Sequence, residues 1–197
     1  MNKLATLVSV FSSAVLGGMV NAAVINFDEI GVAGSVYPYY TQAGFVSQGF
    51  AFSTNMDVID VSPNGGWSSG VGSGHSGNYA ALNDYGGSML MTQVGGGSFS
   101  VADLWLNGWQ GSTTTSSIEG YLNGALVGSV VATYGSPWSD ITLNFAAIDT
   151  LKINGGIFLV DDISVNGGNG QVPEPATLSL LALGLLGATL VARRSKA

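Results

Sequence analysis

Residues 116–134 read SSIEGYLNGALVGSVVATY. At the centre, Asn123-Gly124 supplies two residues that tolerate positive φ, which a tight two-residue turn requires. The flanking runs carry Ile118, Tyr121, Val127, Val130, Val131 and Tyr134 and have no 3.6-residue period. The stretch therefore predicts a β-hairpin.

The same pattern extends in both directions from this hairpin. Short runs rich in β-branched and aromatic residues, separated by Gly, Ser and Asn, fall at Val24–Phe27, Gly49–Ser53, Asp57–Val61, Tyr79–Leu82 and Ser88–Gln93. Further runs follow at Phe99–Leu106, Ile141–Phe145, Leu151–Ile153 and Ile157–Val165. In Phe99–Leu106 the alternation slips, which predicts a bulge near Ala102-Asp103. No interior stretch sustains a helical period with caps. Roughly ten short strands and no interior helix predict an all-β fold: a two-sheet antiparallel β-sandwich with jelly-roll topology. A right-handed β-helix is the competing fold, but no fixed repeat of about 20 to 50 residues runs through the chain.

Both ends of the chain differ from this middle. Met1–Ala22 has Lys3, then an apolar run from Leu4, and closes on Val20-Asn21-Ala22, the pattern of a signal peptide cut by signal peptidase after Ala22. At the other end, Ala176–Ala192 holds 17 residues without a charge. As a helix at about 1.5 Å per residue this covers roughly 26 Å, enough for one transmembrane helix. Arg193, Arg194 and Lys196 follow, and basic flanks stay on the cytoplasmic side. The expected organisation is a signal peptide at 1–22, a β-sandwich ectodomain at 23–166, a Gly/Asn linker at 167–172 and a tail at 173–197 that spans the inner membrane at 176–192.

Without its ends the chain is strongly acidic. Residues 23–171 hold eleven Asp and Glu against a single cation, Lys152, a net charge of −10. Such a surface repels nucleic acid and excludes it as a partner, while leaving divalent cations and neutral sugars. There is no cysteine, hence no disulfide and no thiolate chemistry.

Two stretches resemble known families. Pro173-Glu174-Pro175, a short apolar helix and an Arg-rich end, in that order, resemble the PEP-CTERM sorting signal of Gram-negative bacteria. The resemblance implies an exosortase, a membrane-embedded transpeptidase-like enzyme, that reads and processes the tail, with Pro173, Glu174, Pro175, Arg193 and Arg194 as the sorting motif. It also implies a transient hold in the inner membrane, then the cell surface or an exopolysaccharide-rich biofilm matrix. An ordinary single-pass anchor behind a Pro-rich linker is the alternative. The order FSVADLWLNGW, SSIEGYLNGALVGS, ITLNF, IDTLKI, IFLVDDISVNG over residues 99–167 looks like the ectodomains that precede many such tails, which are similar in shape to galactose-binding-like and carbohydrate-binding modules. That resemblance implies the fold and, more weakly, sugar binding.

Three features bear on chemistry. Asp28-Glu29 and Asp161-Asp162 are the adjacent carboxylate pairs, after the first strand and inside the last. If these strands lie side by side, the four acids gather into a candidate Ca²⁺ site, which needs six to eight oxygens at about 2.3–2.6 Å. Alternatively, alternate residues point in opposite directions and are solvated. Gly66-Trp67-Ser68-Ser69-Gly70 matches the G-x-S-x-G elbow, but no helix follows it, and the single histidine, His75, lies close behind rather than late in the chain. No catalytic constellation results, and His75 reads as a solvated loop residue. The Gly70–Gly74 run opens no helix and is no dinucleotide loop. Aromatics are the third feature: Trp67 and Trp138 stand in loops beside Gly or Pro and are candidate sugar platforms, whereas Trp105 alternates with Leu104 and Leu106 and reads as core. The expected function is a non-enzymatic surface or matrix protein that binds polysaccharide. The alternative is a secreted glycan hydrolase using two carboxylates about 5 to 10 Å apart.

Overall fold

Strand formation follows the alternation of side chains. In Met56–Asp60, Met56 and Val58 face one side and Asp57 and Ile59 the other, yet all five residues are buried, so the strand is covered on both faces. The computed structural model describes residues 22–37, 44–67 and 73–166. The expected signal peptide up to residue 21, the linker and the tail with its membrane helix at 176–192 lie outside the described residues. Among the described residues no helix is long and apolar enough to cross a membrane.

Thirteen strands form among the described residues. They are β1 (Ala22–Ile25), β2 (Val36–Tyr37), β3 (Phe45–Ser47), β4 (Phe50–Phe52), β5 (Met56–Asp60), β6 (Tyr79–Asn83) and β7 (Met89–Gln93). Then come β8 (Phe99–Gly108), β9 (Thr114–Leu122), β10 (Ala125–Tyr134), β11 (Ser139–Ile148), β12 (Thr150–Asn154) and β13 (Phe158–Asn166). One sheet runs β11-β8-β13-β6-β5-β2, with β1 also paired to β13; the other runs β10-β9-β12-β7-β4-β3. Every pairing is antiparallel. The all-β, two-sheet sandwich expected from the sequence is the observed architecture.

The predicted hairpin is β9–β10. Asn123 (φ 52) and Gly124 (φ 77) take the left-handed conformations the turn demands, and Leu122 faces Ala125. The slip near Ala102 is also present. Against β13, Asp103 and Val101 face consecutive residues, Ser164 and Val165, so the extra residue lies in β8. The strands missing from the sequence reading, β2 and β3, have only two and three residues. Runs that short carry no period and form because the neighbouring strands offer unpaired edges.

Side chains of both sheets meet in one core. Ile25, Met56, Val58, Leu104, Leu106, Phe158 and Val160 of the larger sheet pack against Phe50, Phe52, Met89, Met91, Ile118, Leu151 and Ile153 of the smaller. Burying each large apolar side chain contributes about 1.5–3 kcal/mol, the main support of the fold in a chain without disulfides. A second, smaller cluster covers the outer face of the larger sheet: Val36, Ile59, Val61, Ala80, Leu82 and Leu159, with Trp67, Trp109 and Trp138 packed over it.

Candidate functional site

The outer face of the larger sheet is ordered in rows that the strand register sets. One row runs Asn107–Leu159–Leu82–Asp57 across β8, β13, β6 and β5. Asp161 faces Trp105 on β13 and β8 in a second row, and farther along it Ile59 stands between Ala80 and Val36. Loops beyond the strand ends fold over these rows.

Above Leu82 and Ile59 the loops leave a hollow of about 150 Å³, lined by Val36, Ile59, Trp67, Leu82, Asp84, Trp109 and Ile157. Trp67 and Trp109, both half-buried, form its wall, with ring centroids 6.1 Å apart and planes tilted by 47°. Each is fixed by its backbone: Trp67 N–H donates to the Asp60 carbonyl (3.2 Å), and Trp109 N–H to that of Ile157 (3.1 Å). Asp60, itself buried, anchors the Trp67 loop, since its carboxylate accepts from Gly34 N–H (2.6 Å) and Ser62 N–H (3.0 Å). Burial alone would raise its pKa, but these bonds hold it below the usual value. Asn83, fully buried, fixes the other rim. Its amide accepts from Phe158 N–H (2.6 Å) and donates to the carbonyls of Gly87 (2.8 Å) and Gly156 (2.9 Å). Asp84 and Ile157 are thereby held side by side.

Asp84 is the one charged residue among the described lining of the hollow. Beside it lies Asp57, 2% exposed, one of whose carboxyl oxygens has no hydrogen-bond partner. Burial, together with the hydrogen bond and charge of Asp84, pushes the Asp57 carboxyl up to about 7. The buried Asn107 amide, at the opposite end of the row, likewise has no partner for its oxygen or nitrogen.

A second arrangement sits where β6 and β1 share one edge of β13. β6 pairs with Leu159 and Val160, and β1 with Ile163 to Asn166, so Asp161-Asp162 falls between them. Residues 73–78 cross this gap as a strap. Asp161 accepts from the backbone N–H groups of His75 (3.0 Å) and Ser76 (3.1 Å), and Asp162 accepts from the Ser76 hydroxyl (2.7 Å). His75 Nδ1 meets Asp162 Oδ2 at 2.5 Å, and its ring stacks on Trp105 at 3.6 Å and 14°. Farther along the strap, Asn78 N–H donates to Asp28 (3.1 Å). Trp138 donates to the Ser73 carbonyl (2.9 Å). Asp161 is fully buried, and that burial pushes its carboxyl up to about 8 against the pull of Ser76 N–H; the neighbouring Asp162 charge raises it further.

The expected acids are therefore partly reunited. The first and last strands do lie side by side, and Asp28, Asp161 and Asp162 converge on one strap. Glu29 turns away and accepts from the Ser47 hydroxyl. The four-carboxylate cluster is not assembled: among the described residues no three acidic or histidine side chains stand close enough to hold a metal ion. The strap instead donates N–H or O–H groups to Asp161 Oδ2, Asp162 Oδ1 and Asp28 Oδ1. Of the two candidate platforms, Trp67 lines the hollow, whereas Trp138 is tied to the strap. Trp105 turns away from the core onto the outer face, correcting its reading as core. His75 is packed against Trp105 and Asp162 and is not simply a solvated loop residue. Ser68 of the G-x-S-x-G match and the sorting motif lie outside the described residues. The sequence reading did not single out Trp109, Asp84 or Asp57. Asp57 and Ile59 sharing one face of a strand was the available signal.

Comparison with known proteins adds information about the tail. Residues 171–195 match the PEP-CTERM protein-sorting motif, which implies an exported protein sorted to the cell envelope and processed by exosortase. No curated protein matches the chain. Among solved structures, TmCBM61 in complex with beta-1,4-galactotriose is similar at 18% identity and TM-score 0.38, over 71% of this chain and 92% of that one. The CBM22-1 and GH10 modules of a Clostridium thermocellum endo-1,4-beta-D-xylanase, complexed with xylohexaose, are similar at 10% identity and TM-score 0.39, over 73% of this chain and 28% of that one. An arabinose-bound α-L-arabinofuranosidase, MgGH51, gives 12% identity and TM-score 0.39, over 60% and 23%.

Proposed function

We propose that this chain, exported under a PEP-CTERM sorting motif, is a non-enzymatic surface or matrix protein whose β-sandwich holds polysaccharide in the Trp67–Trp109 hollow. One observation carries the reading: two fixed, half-buried tryptophans and a carboxylate converge on a concave apolar floor. The apolar face of a sugar ring stacks on indole, and its hydroxyls donate to a carboxylate. The signal peptide delivers the domain across the inner membrane, and the apolar tail holds it there until exosortase acts. The strongly acidic domain fits a neutral or cationic matrix and repels a polyanionic one.

The hydrolase alternative has one observation in its favour, the raised Asp57 beside Asp84. Two carboxyls in mutual hydrogen-bonding reach, one of them sealed in the sheet, do not have the separation of about 5 to 10 Å that glycoside cleavage uses. We therefore read the pair as part of a binding site. The test is a glycan array probed with the full-length chain and with Trp67→Ala and Trp109→Ala. Binding without product release, weakened about tenfold or more in both variants, supports the proposal. Release of shortened sugars that ceases in Asp84→Asn favours the hydrolase.

A further inference from the structure

Resting on that reading of the hollow, we infer that its ligand is a glycan unit bearing a free, protonated amino group, with Asp84 as the counter-charge. A neutral sugar's hydroxyls are fixed by a few placed polar groups, whereas an ammonium group is held by a carboxylate and by aromatic faces together. Among the described residues the hollow offers the second kind of lining. Val36, Ile59, Leu82 and Ile157 are apolar, Trp67 and Trp109 present indole rings, and Asp84 alone is charged. A cation within about 6 Å of an indole centroid is drawn to the ring face, and with two centroids 6.1 Å apart in a 47° wedge both rings can be reached at once.

The charge around the site agrees. Lys152 is the one Lys or Arg between residues 23 and 171, and it belongs to β12 of the opposite sheet, so among the described residues no lysine or arginine competes for Asp84. Beneath Asp84, Asp57 holds a buried oxygen with no partner. An ammonium group beside Asp84 pairs charge with charge, which an uncharged hydroxyl cannot do. An N-acetylated unit would bring neither the charge nor the cation–π attraction.

The test is titration calorimetry on the full-length chain in an uncharged, sugar-free detergent, at about pH 6, below the ordinary amine range. The probes are glucosamine oligosaccharides, the matching N-acetylglucosamine series and cello-oligosaccharides, with choline chloride as a sugar-free cation. Glucosamine oligosaccharides are expected to bind about tenfold tighter than the other two. Asp84→Asn should remove that preference, while Asp140→Asn, an equal charge change at an exposed position of edge strand β11, should leave it intact. Equal affinity for all three series, still lost in Trp67→Ala, overturns the amine selectivity and leaves the glycan site standing. Equal weakening by Asp140→Asn shows only general attraction to an acidic protein and overturns the inference. Binding of choline chloride but of no oligosaccharide, or of no probe at all, overturns both readings.

Discussion

Asp161 and Asp57 are both sealed in the larger sheet, and burial holds their carboxyls at about 8 and about 7. In the unfolded chain they return to about 3.9. Their folded values are raised, so their stabilising contribution is complete below about pH 4, where both states are protonated. It is lost as pH rises, because the unfolded state releases its protons first. The melting temperature is thus expected to fall between about pH 5 and about pH 8, and to fall less in Asp57→Asn. A flat profile would show that neither carboxyl is held protonated. Asp28 supports a separate expectation. Gly77 has φ +56, and a Cβ there would come within 2.0 Å of Asp28 Oδ2. Gly77→Ala should therefore cost about 1–3 kcal/mol in chemical denaturation, through left-handed strain and the forced shift of the carboxylate.

The β9–β10 hairpin was legible because its turn is local: Asn123-Gly124 needs no distant partner to be recognised. At Gly124, φ is +77 and nothing lies within 4 Å of a Cβ, so only the backbone penalty applies. Gly124→Ala is expected to cost about 1 kcal/mol. Gly128 in the same hairpin is different in kind. A Cβ there would meet the Phe145 ring at 2.6 Å, and one at Gly120 would meet Phe145 at 2.9 Å and Ile148 at 2.7 Å. These two glycines make room where β11, from the opposite sheet, closes one side of the sandwich. Gly128→Ala should then destabilise by about 1–3 kcal/mol, more than Gly124→Ala, although Gly128 is not among the positive-φ glycines. Denaturant midpoints of the two variants decide the order.

For the whole molecule, the sorting motif and the proposed binding hollow lie in different parts of the sequence. The motif at residues 171–195 implies export and exosortase processing, and the basic cluster Arg193, Arg194 and Lys196 belongs to that tail. Cells lacking exosortase are expected to keep the chain in the inner-membrane fraction, and cells containing it to pass the chain outward. Equal fractionation would leave only a plain anchor. With the strap's donors occupying Asp28, Asp161 and Asp162, added Ca²⁺ and added chelator are expected to give the same melting temperature. A rise with Ca²⁺ would mean the strap can yield these oxygens to a cation.

Alternation, turn chemistry and the charge-free tail are written within a few residues of each other. The sequence alone was therefore sufficient for the all-β sandwich, the hairpin and its turn, the acidic character of residues 23–171 and the sorting motif. That the first and last strands are neighbours entered the sequence reading only as a condition, and the pairing of β1 with β13 meets it. Which side chains meet on the outer face depended on pairings across the sheet: Leu82 with Leu159 and Asp57, and Asp161 with Trp105. Those rows join residues up to about a hundred positions apart. Only tertiary structure could bring Trp67, Asp84 and Trp109 around one hollow, or set the acids of β13 against the strap at residues 73–78.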